Sequence, residues 1–178
     1  PVMAYDIPSA VQTKIDRASL RTLAQAGAIV GLKDSSGQEA NFRGVLLDNA
    51  DLPDFRVFTG SELMVDVALS LGAHGCVPGL GNVDPVGYVR LYDAVMAGDL
   101  AAARAEQDRL YGLFSIVSVA KRPEIGHSAA AWGSFKAALV ARGVIAQATA
   151  TAPMSALTED ELATIASIVK AAGLGTVA

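Results

Sequence analysis

The chain has 178 residues, of which 52% are hydrophobic, which is enough for one globular domain with a buried core. A net charge of −4 and the absence of basic clusters interleaved with aromatics argue against a nucleic-acid binder. Cys76 is the single cysteine, which excludes an internal disulfide and a paired-thiol metal site, and no stretch is apolar for long enough to cross a bilayer. We therefore expect a cytoplasmic protein that binds neither nucleic acid nor membrane.

Up to about residue 98, short apolar runs alternate with longer helical stretches. The predicted strands are Val2–Tyr5, Ala28–Lys33, Phe55–Thr59 and Gly75–Pro78, and the predicted helices are Ser19–Ala26, Ala40–Asn49, Glu62–Leu71 and Asp84–Ala97. Strict alternation is typical of parallel strands joined by helical crossovers. Because each strand is almost wholly apolar, we expect both faces of the sheet to be covered.

After Gly98 the pattern becomes purely helical. The predicted helices are Leu100–Val119, Ala129–Arg142 and Thr158–Ala172, and Thr158 with Glu161 has the spacing of a capping box. We therefore expect a strand–helix part over residues 1–98 and a helical extension over residues 99–178. Since the chain opens directly on a strand-like segment, we also expect residues that precede it to be missing.

Chemically useful side chains follow the strands. The first strand ends at Tyr5 and the second at Lys33, while the third runs into Thr59-Gly60-Ser61-Glu62. In parallel strand–helix proteins function collects at the carboxyl ends of strands. On spacing alone, a strand-end lysine that reaches solvent is the commoner case. A buried amine loses its proton more easily, however, and can attack a ketone to form a Schiff base.

The ordered motifs at these strand ends resemble a known family. Tyr5-Asp6-Ile7-Pro8, Gly31-Leu32-Lys33-Asp34-Ser35-Ser36-Gly37, Thr59-Gly60-Ser61-Glu62 and the stretch from Gly72 to Asn82 are similar to the dihydrodipicolinate synthase and N-acetylneuraminate lyase family. These proteins are pyruvate-dependent class I aldolases and lyases with a TIM-barrel fold. The resemblance implies an α/β chain with strands five to eight of a (β/α)8 barrel and a C-terminal three-helix extension.

The resemblance also implies roles for individual residues. Lys33 is expected to form the Schiff base, and Tyr5 to shuttle protons. Gly60 and Val77 are expected to line the pyruvate end of the pocket. The variable part of the substrate is expected to meet Ser35, Ser61, Glu62 and Gly79. Gly79 lacks the hydroxyl that sialic-acid lyases place nearby, so that substrate is not expected.

The implied activity is cleavage or formation of a carbon–carbon bond in a 2-oxo acid, with pyruvate as product or donor. The alternatives are condensation of pyruvate with an aldehyde, as in dihydrodipicolinate synthase, and a truncated, non-catalytic half-barrel. Synthases place an arginine in the helix after the Tyr-containing strand, and the segment Lys14 to Arg17 leaves its counterpart ambiguous. The family's Gly-Thr-Thr/Ser-Gly-Glu carboxylate-binding segment and second tyrosine are absent, which implies a weakened catalyst.

The resemblance further implies no metal and no dissociable cofactor, because the imine on Lys33 serves as electron sink. The expected partners are a small 2-oxo acid, an aldehyde and further copies of the chain in a dimer or tetramer. The two histidines lack carboxylates at ligand spacing, which also argues against a metal site.

Several other residues have simpler interpretations. Lys14 lies in a polar stretch and is predicted to be a surface charge. His74 is predicted to serve a turn or packing, and His127 to be structural, with substrate contact as its alternative. Cys76 is predicted to be buried and inert. Trp132 is predicted to pack in the core or at a subunit interface.

Overall fold

A computed structural model describes residues 1–177 of the chain. The strands are β1 (Met3–Asp6), β2 (Gly31–Asp34), β3 (Arg56–Thr59) and β4 (Gly75–Cys76). The helices are α1 (Pro8–Val11), α2 (Arg17–Gln25), α3 (Glu39–Asp48), α4 (Val65–Ser70), α5 (Pro85–Met96), α6 (Leu100–Phe114), α7 (His127–Ala141) and α8 (Glu159–Ala171). Two 3₁₀ segments, Gly79–Asn82 and Ser115–Ser118, precede α5 and follow α6.

The strands form one parallel sheet in the order β1-β2-β3-β4. The alternation of strands and helices predicted for the first part of the chain is confirmed. In the register of this sheet Tyr5 pairs with Lys33, and Lys33 pairs with Phe58. Since side chains alternate between faces along a strand, these three share one face and their successors share the other.

Some predicted bounds were wrong. The apolar run Ala28–Val30 lies between the turn at Ala26–Gly27 and β2, and Val30 is exposed, so hydrophobicity alone placed the start of that strand too early. Strands β1 and β2 each extend one residue further, through Asp6 and Asp34, because these acids continue the parallel ladder. The helix predicted from Glu62 begins at Val65.

Helix α1 was not predicted, although Pro8 at its start fits the preference of proline for a first helical turn. The expectation that both sheet faces are covered was also wrong for β1. Its side chains Met3 and Tyr5 are exposed while Asp6 is buried.

The chain divides into two compact units. The first comprises Pro1–Pro78 and Arg90–Arg104, and the second comprises Gly79–Val89 and Ala105–Ala178. The division predicted after residue 98 stays a prediction. Within residues 1–177, no helix has the length and apolar character needed to cross a membrane.

The first unit holds the sheet, and its core lies where helix residues meet strand residues. Buried apolar side chains come from α2, β2, α3, β3 and α4, namely Leu20, Leu32, Val45, Val57, Val65 and Leu69. Two ion pairs, Arg17 with Asp48 and Arg21 with Asp51, join α2 to the end of α3 and the turn after it. This packing buries Leu32 of β2 and Val57 of β3, the residues that directly precede Lys33 and Phe58.

The second unit is helical. Its core contains Leu110, Leu113, Ile116, Ala138, Ile165 and Val169. The predicted capping box of α8 is confirmed, since Thr158 and Glu161 satisfy each other's backbone amides. Glu161 also pairs with Arg122, and Arg109 binds Asp84 and Glu106.

Leu20 and Leu23 of α2 give a matched test of this core. Leu20 is 2% exposed and Leu23 is 43% exposed. Leu20→Ala removes buried contacts and leaves a void, so we expect it to lower the free energy of unfolding by about 2–5 kcal/mol. Leu23→Ala should change it by about 0.5 kcal/mol. Urea unfolding followed by circular dichroism measures both values, and equal losses would contradict the described packing.

Candidate active site

Tyr5 and Lys33 lie side by side on one face of the sheet, at the carboxyl ends of β1 and β2. The Lys33 Nζ atom donates a hydrogen bond to the Tyr5 hydroxyl at 3.3 Å and lies 4.4 Å from the centre of the Tyr5 ring. The second distance is within the range of a cation–π contact. Lys33 is half-buried and Tyr5 is 47% exposed, so the pair opens to solvent on the phenol side.

Ser35 and Gly60 complete the contacts around this pair. The Ser35 hydroxyl donates to the Tyr5 hydroxyl at 3.5 Å. A Cβ atom added at Gly60 would lie 2.0 Å from Ser35 Oγ and 2.9 Å from Lys33 Cε. Glycine at position 60 is therefore what lets the Lys33 chain and the Ser35 hydroxyl approach this backbone.

Backbone hydrogen bonds align the strand ends that carry these residues. The Ser35 amide donates to Asp6 O at 2.8 Å, the Gly60 amide to Asp34 O at 2.7 Å, and the Val77 amide to Thr59 O at 2.8 Å. Each of these bonds continues the hydrogen-bond ladder of the sheet by one residue past the carboxyl end of a strand. The order of the strands thus fixes Ser35, Gly60 and Val77 at one edge of the sheet.

The other predicted substrate-binding residues lie outside the group of contacts formed by Tyr5, Lys33, Ser35 and Gly60. The Ser61 hydroxyl accepts the Leu63 amide at 3.2 Å, so it is engaged in the turn before α4. Glu62 is half-buried in that same turn. Val77 is exposed just after β4, and Gly79 begins a 3₁₀ segment in the second unit. The structure thus brings Tyr5, Lys33, Ser35 and Gly60 into contact.

An amine and a phenol at this distance can perform covalent chemistry on a carbonyl compound. The amine is the nucleophile for a ketone, and the phenol is within hydrogen-bond reach of the atom that attacks. The Ser35 hydroxyl offers a second group through which a proton can pass. The face they share is open, which allows a small molecule to reach Lys33.

The prediction that Lys14 is a surface charge was wrong. Its side chain is 24% exposed and its Nζ atom pairs with Asp6, whose side chain is 1% exposed, and lies 3.8 Å from Asp34 Oδ2. Sequence reasoning missed this cluster because the three residues are separated along the chain. A signal was present, since acids directly follow both Tyr5 and Lys33 and two buried acids need a counter-ion.

Four further predictions concern single residues, and their outcomes differ. His74 is structural, because its Nδ1 atom accepts the Val57 amide at 3.0 Å. Cys76 is half-buried, and burial raises the pKa of its thiol to about 11, which disfavours the reactive thiolate at neutral pH. Trp132 is 53% exposed and therefore does not lie in the core, and its interface role stays a prediction. His127 is exposed at the start of α7.

A separate cavity of about 310 Å³ lies at the other end of β3. It is lined mainly by apolar residues, including Leu46, Leu52, Phe55 and Leu71, and by His74. Nothing in this lining pairs a nucleophile with a proton donor, so the Tyr5–Lys33 edge is the better candidate site. Among residues 1–177, no three His, Cys, Asp or Glu side chains are grouped so that they could hold a metal ion.

Comparison with known proteins decides the family. The sequence profile of the dihydrodipicolinate synthetase family matches residues 1–172. The chain belongs to this family. A relative within it is the 4-hydroxy-tetrahydrodipicolinate synthase of Methanothermobacter thermautotrophicus, which is 30% identical over 126 residues. That match covers 69% of the chain and 44% of the relative.

Solved structures of dihydrodipicolinate synthetase family members share the fold. The dihydrodipicolinate synthase of Bacteroides thetaiotaomicron has a TM-score of 0.87 at 27% identity, covering 96% of this chain and 56% of its own. YagE, a prophage protein of the same family from E. coli K12 in complex with pyruvate, has a TM-score of 0.85 at 25% identity, covering 98% and 56%. These matches confirm the predicted α/β class. The chain corresponds to part of the family barrel and spans about half the length of these relatives.

Proposed function

We propose that the chain carries the Schiff-base centre of a pyruvate-dependent aldolase or lyase. The observation that carries this proposal is the 3.3 Å contact between Lys33 Nζ and the Tyr5 hydroxyl at one sheet edge. Membership of the dihydrodipicolinate synthetase family supports it. The pyruvate complex of the similar protein YagE supports pyruvate as the compound that Lys33 attacks.

The proposed cleavage begins when the Lys33 amine attacks the 2-oxo carbon of the substrate. Water leaves, and a protonated imine joins Nζ to that carbon. A base takes the proton of the C4 hydroxyl, the C3–C4 bond breaks, and its electron pair moves into the imine to give an enamine and an aldehyde. Protonation of the enamine at C3 and hydrolysis of the imine release pyruvate and restore Lys33.

Tyr5 is proposed to carry the proton transfers of imine formation and hydrolysis. Its hydroxyl lies next to Nζ, where the departing water forms and where the returning water attacks. Ser35 is proposed to hold the Tyr5 hydroxyl in place and to contact the variable part of the substrate. Gly60 and Val77 are proposed to line the pyruvate end, with Ser61 and Glu62 further along.

One observation favours cleavage over condensation. Helix α1, which follows the Tyr-containing strand, has the sequence Pro-Ser-Ala-Val and contains no arginine. The next two cationic side chains along the sequence already form ion pairs, Lys14 with Asp6 and Arg17 with Asp48. Condensation of pyruvate with an aldehyde remains the second candidate, favoured by the similarity to 4-hydroxy-tetrahydrodipicolinate synthases.

We propose that β1 to β4 are strands five to eight of the family barrel and that α6 to α8 are its C-terminal extension. The proposed reaction needs no metal or dissociable cofactor, because the imine itself accepts the electron pair. The proposed partners are a 2-oxo acid, an aldehyde and further copies of the chain, in the cytoplasm. A non-catalytic half-barrel is the alternative, since the match covers 44% of the relative's length.

The proposal is tested by trapping the imine. The folded chain is incubated with pyruvate and sodium borohydride, and its intact mass is measured. We expect one adduct per chain, with the mass of pyruvate minus one water plus two hydrogens. Lactate, which has no ketone, is the matched control and should give no adduct. A folded chain that gains no mass with pyruvate would contradict the proposal and favour the non-catalytic alternative.

A further inference from the structure

A buried acidic pair lies behind Tyr5 and Lys33. Asp6 directly follows Tyr5 and Asp34 directly follows Lys33, and the two acids are neighbours in the register of β1 and β2. Because side chains alternate along a strand, both carboxylates point to the sheet face opposite the catalytic pair. Both residues are buried, with 1% and 5% of their surface exposed.

Two carboxylates side by side on neighbouring strands repel each other, and burial strengthens that repulsion. Lys14 opposes it. Its ammonium pairs with Asp6 and lies 3.8 Å from Asp34 Oδ2. The loop that carries Lys14 is held at the same place, since the Ile15 amide donates to Asp6 Oδ1 at 3.3 Å. One cation thus bridges the ends of both strands.

The same two acids fix the backbone around the reactive pair. Asp34 Oδ1 accepts the Ser36 amide at 2.7 Å, which shapes the turn after Lys33. The backbone oxygens of Asp6 and Asp34 accept the amides of Ser35 and Gly60. A shift of either acid therefore moves the residues that surround Lys33.

We propose that Lys14 is a positioning residue for the Tyr5–Lys33 pair. Its charge holds Asp6 and Asp34 together on one face of the sheet and thereby keeps Tyr5 and Lys33 in register on the other. The catalytic part of this inference rests on the proposed Schiff-base function. The structural part does not, because the alignment of the strand ends can be measured without substrate.

The structural test uses amide hydrogen exchange in Lys14→Gln, Lys14→Arg and the double variant Lys14→Gln/Asp6→Asn. In Lys14→Gln we expect the Ser35 and Gly60 amides to exchange about tenfold faster than in the original chain. The amides of Val30 and Arg56, which bond Val2 O and Val30 O at the opposite strand ends, are internal controls and should change little. Lys14→Arg keeps the cation, and the double variant removes one of the repelling acids, so both should restore protection.

The functional test is the rate of pyruvate trapping by borohydride, measured well below the unfolding temperature of each variant. We expect Lys14→Gln to lower the rate at saturating pyruvate about tenfold, with a change of about twofold or less in the half-saturating concentration. Lys14→Arg and the double variant should regain most of that rate. A role in stability alone predicts normal rates in every folded variant.

The outcomes separate the two proposals. Equal acceleration of all four amides in Lys14→Gln, or a double variant no better protected than the single one, would overturn the positioning role. If Lys14→Gln does not fold, loss of Ser35 and Gly60 protection in Lys14→Arg or in the double variant would overturn it. Absence of any pyruvate adduct on the original chain, with the expected exchange pattern, would reject the Schiff-base function and leave the alignment by Lys14 standing.

Discussion

Replacing Tyr5 with phenylalanine should slow trapping of pyruvate by borohydride about 100-fold at saturating pyruvate, since a positioned acid–base group contributes about that much or more. The substitution keeps the ring above Lys33 and removes the hydroxyl that lies 3.3 Å from Nζ. Proton transfer during loss of water from the carbinolamine then depends on solvent. The measurement is the rate of adduct formation, followed by intact mass.

Two controls make this prediction specific. Tyr111 is 62% exposed in the second unit, so Tyr111→Phe should leave the trapping rate unchanged. Ser35→Ala removes a hydroxyl that touches Tyr5 at 3.5 Å and should lower the rate by about threefold, as expected when a single weak hydrogen bond is lost. A Tyr5→Phe chain that traps pyruvate at the original rate would remove Tyr5 from the mechanism.

Replacing Gly60 with alanine should also lower the trapping rate strongly, by about 30-fold, because small displacements of reacting groups are costly. The new methyl group would lie 2.9 Å from Lys33 Cε and 2.0 Å from Ser35 Oγ. The Ser35 hydroxyl can rotate away, but moving Cε carries Nζ away from Tyr5. The expected result is a lower rate at saturating pyruvate with little change in stability.

Gly112→Ala is the matched control, because an added Cβ at Gly112 meets no atom within 4 Å. It should leave the trapping rate unchanged and stabilise α6 by about 0.5–1 kcal/mol. The double variant Gly60→Ala/Ser35→Ala should be no faster than Gly60→Ala, since the contact with Lys33 Cε persists and the Ser35 hydroxyl that contacts Tyr5 is lost. Full activity of Gly60→Ala would mean that Lys33 is not confined at this position.

Local patterns allowed much of the fold to be predicted. The alternation of apolar runs with helical stretches identified all four strands of the sheet, and the spacing of Thr158 and Glu161 identified the start of α8. Both signals depend on neighbours along the chain. The start of β2 was missed because Ala28–Val30, which links the turn at Ala26–Gly27 to β2, is as apolar as a strand.

Part of the site was also predicted from a local pattern, the order of the strands. Tyr5 and Lys33 stand at strand ends, so adjacent parallel strands were enough to bring them together. The pairing of Lys14 with Asp6 and Asp34 could not be predicted from the order of the strands. It depends on how the loop after α1 folds back over the sheet, and no periodicity in the sequence encodes that path.

The chain has five lysines, Lys14, Lys33, Lys121, Lys136 and Lys170, and only Lys33 is expected to form the imine with pyruvate. The most direct measurement is peptide mass spectrometry of the borohydride-reduced adduct, with Lys33→Ala in parallel. We predict that all of the adduct lies on the peptide containing Lys33 and that Lys33→Ala carries none. Adduct spread over the other lysines, or an unchanged yield in Lys33→Ala, would show that Lys33 is not the lysine that forms the imine.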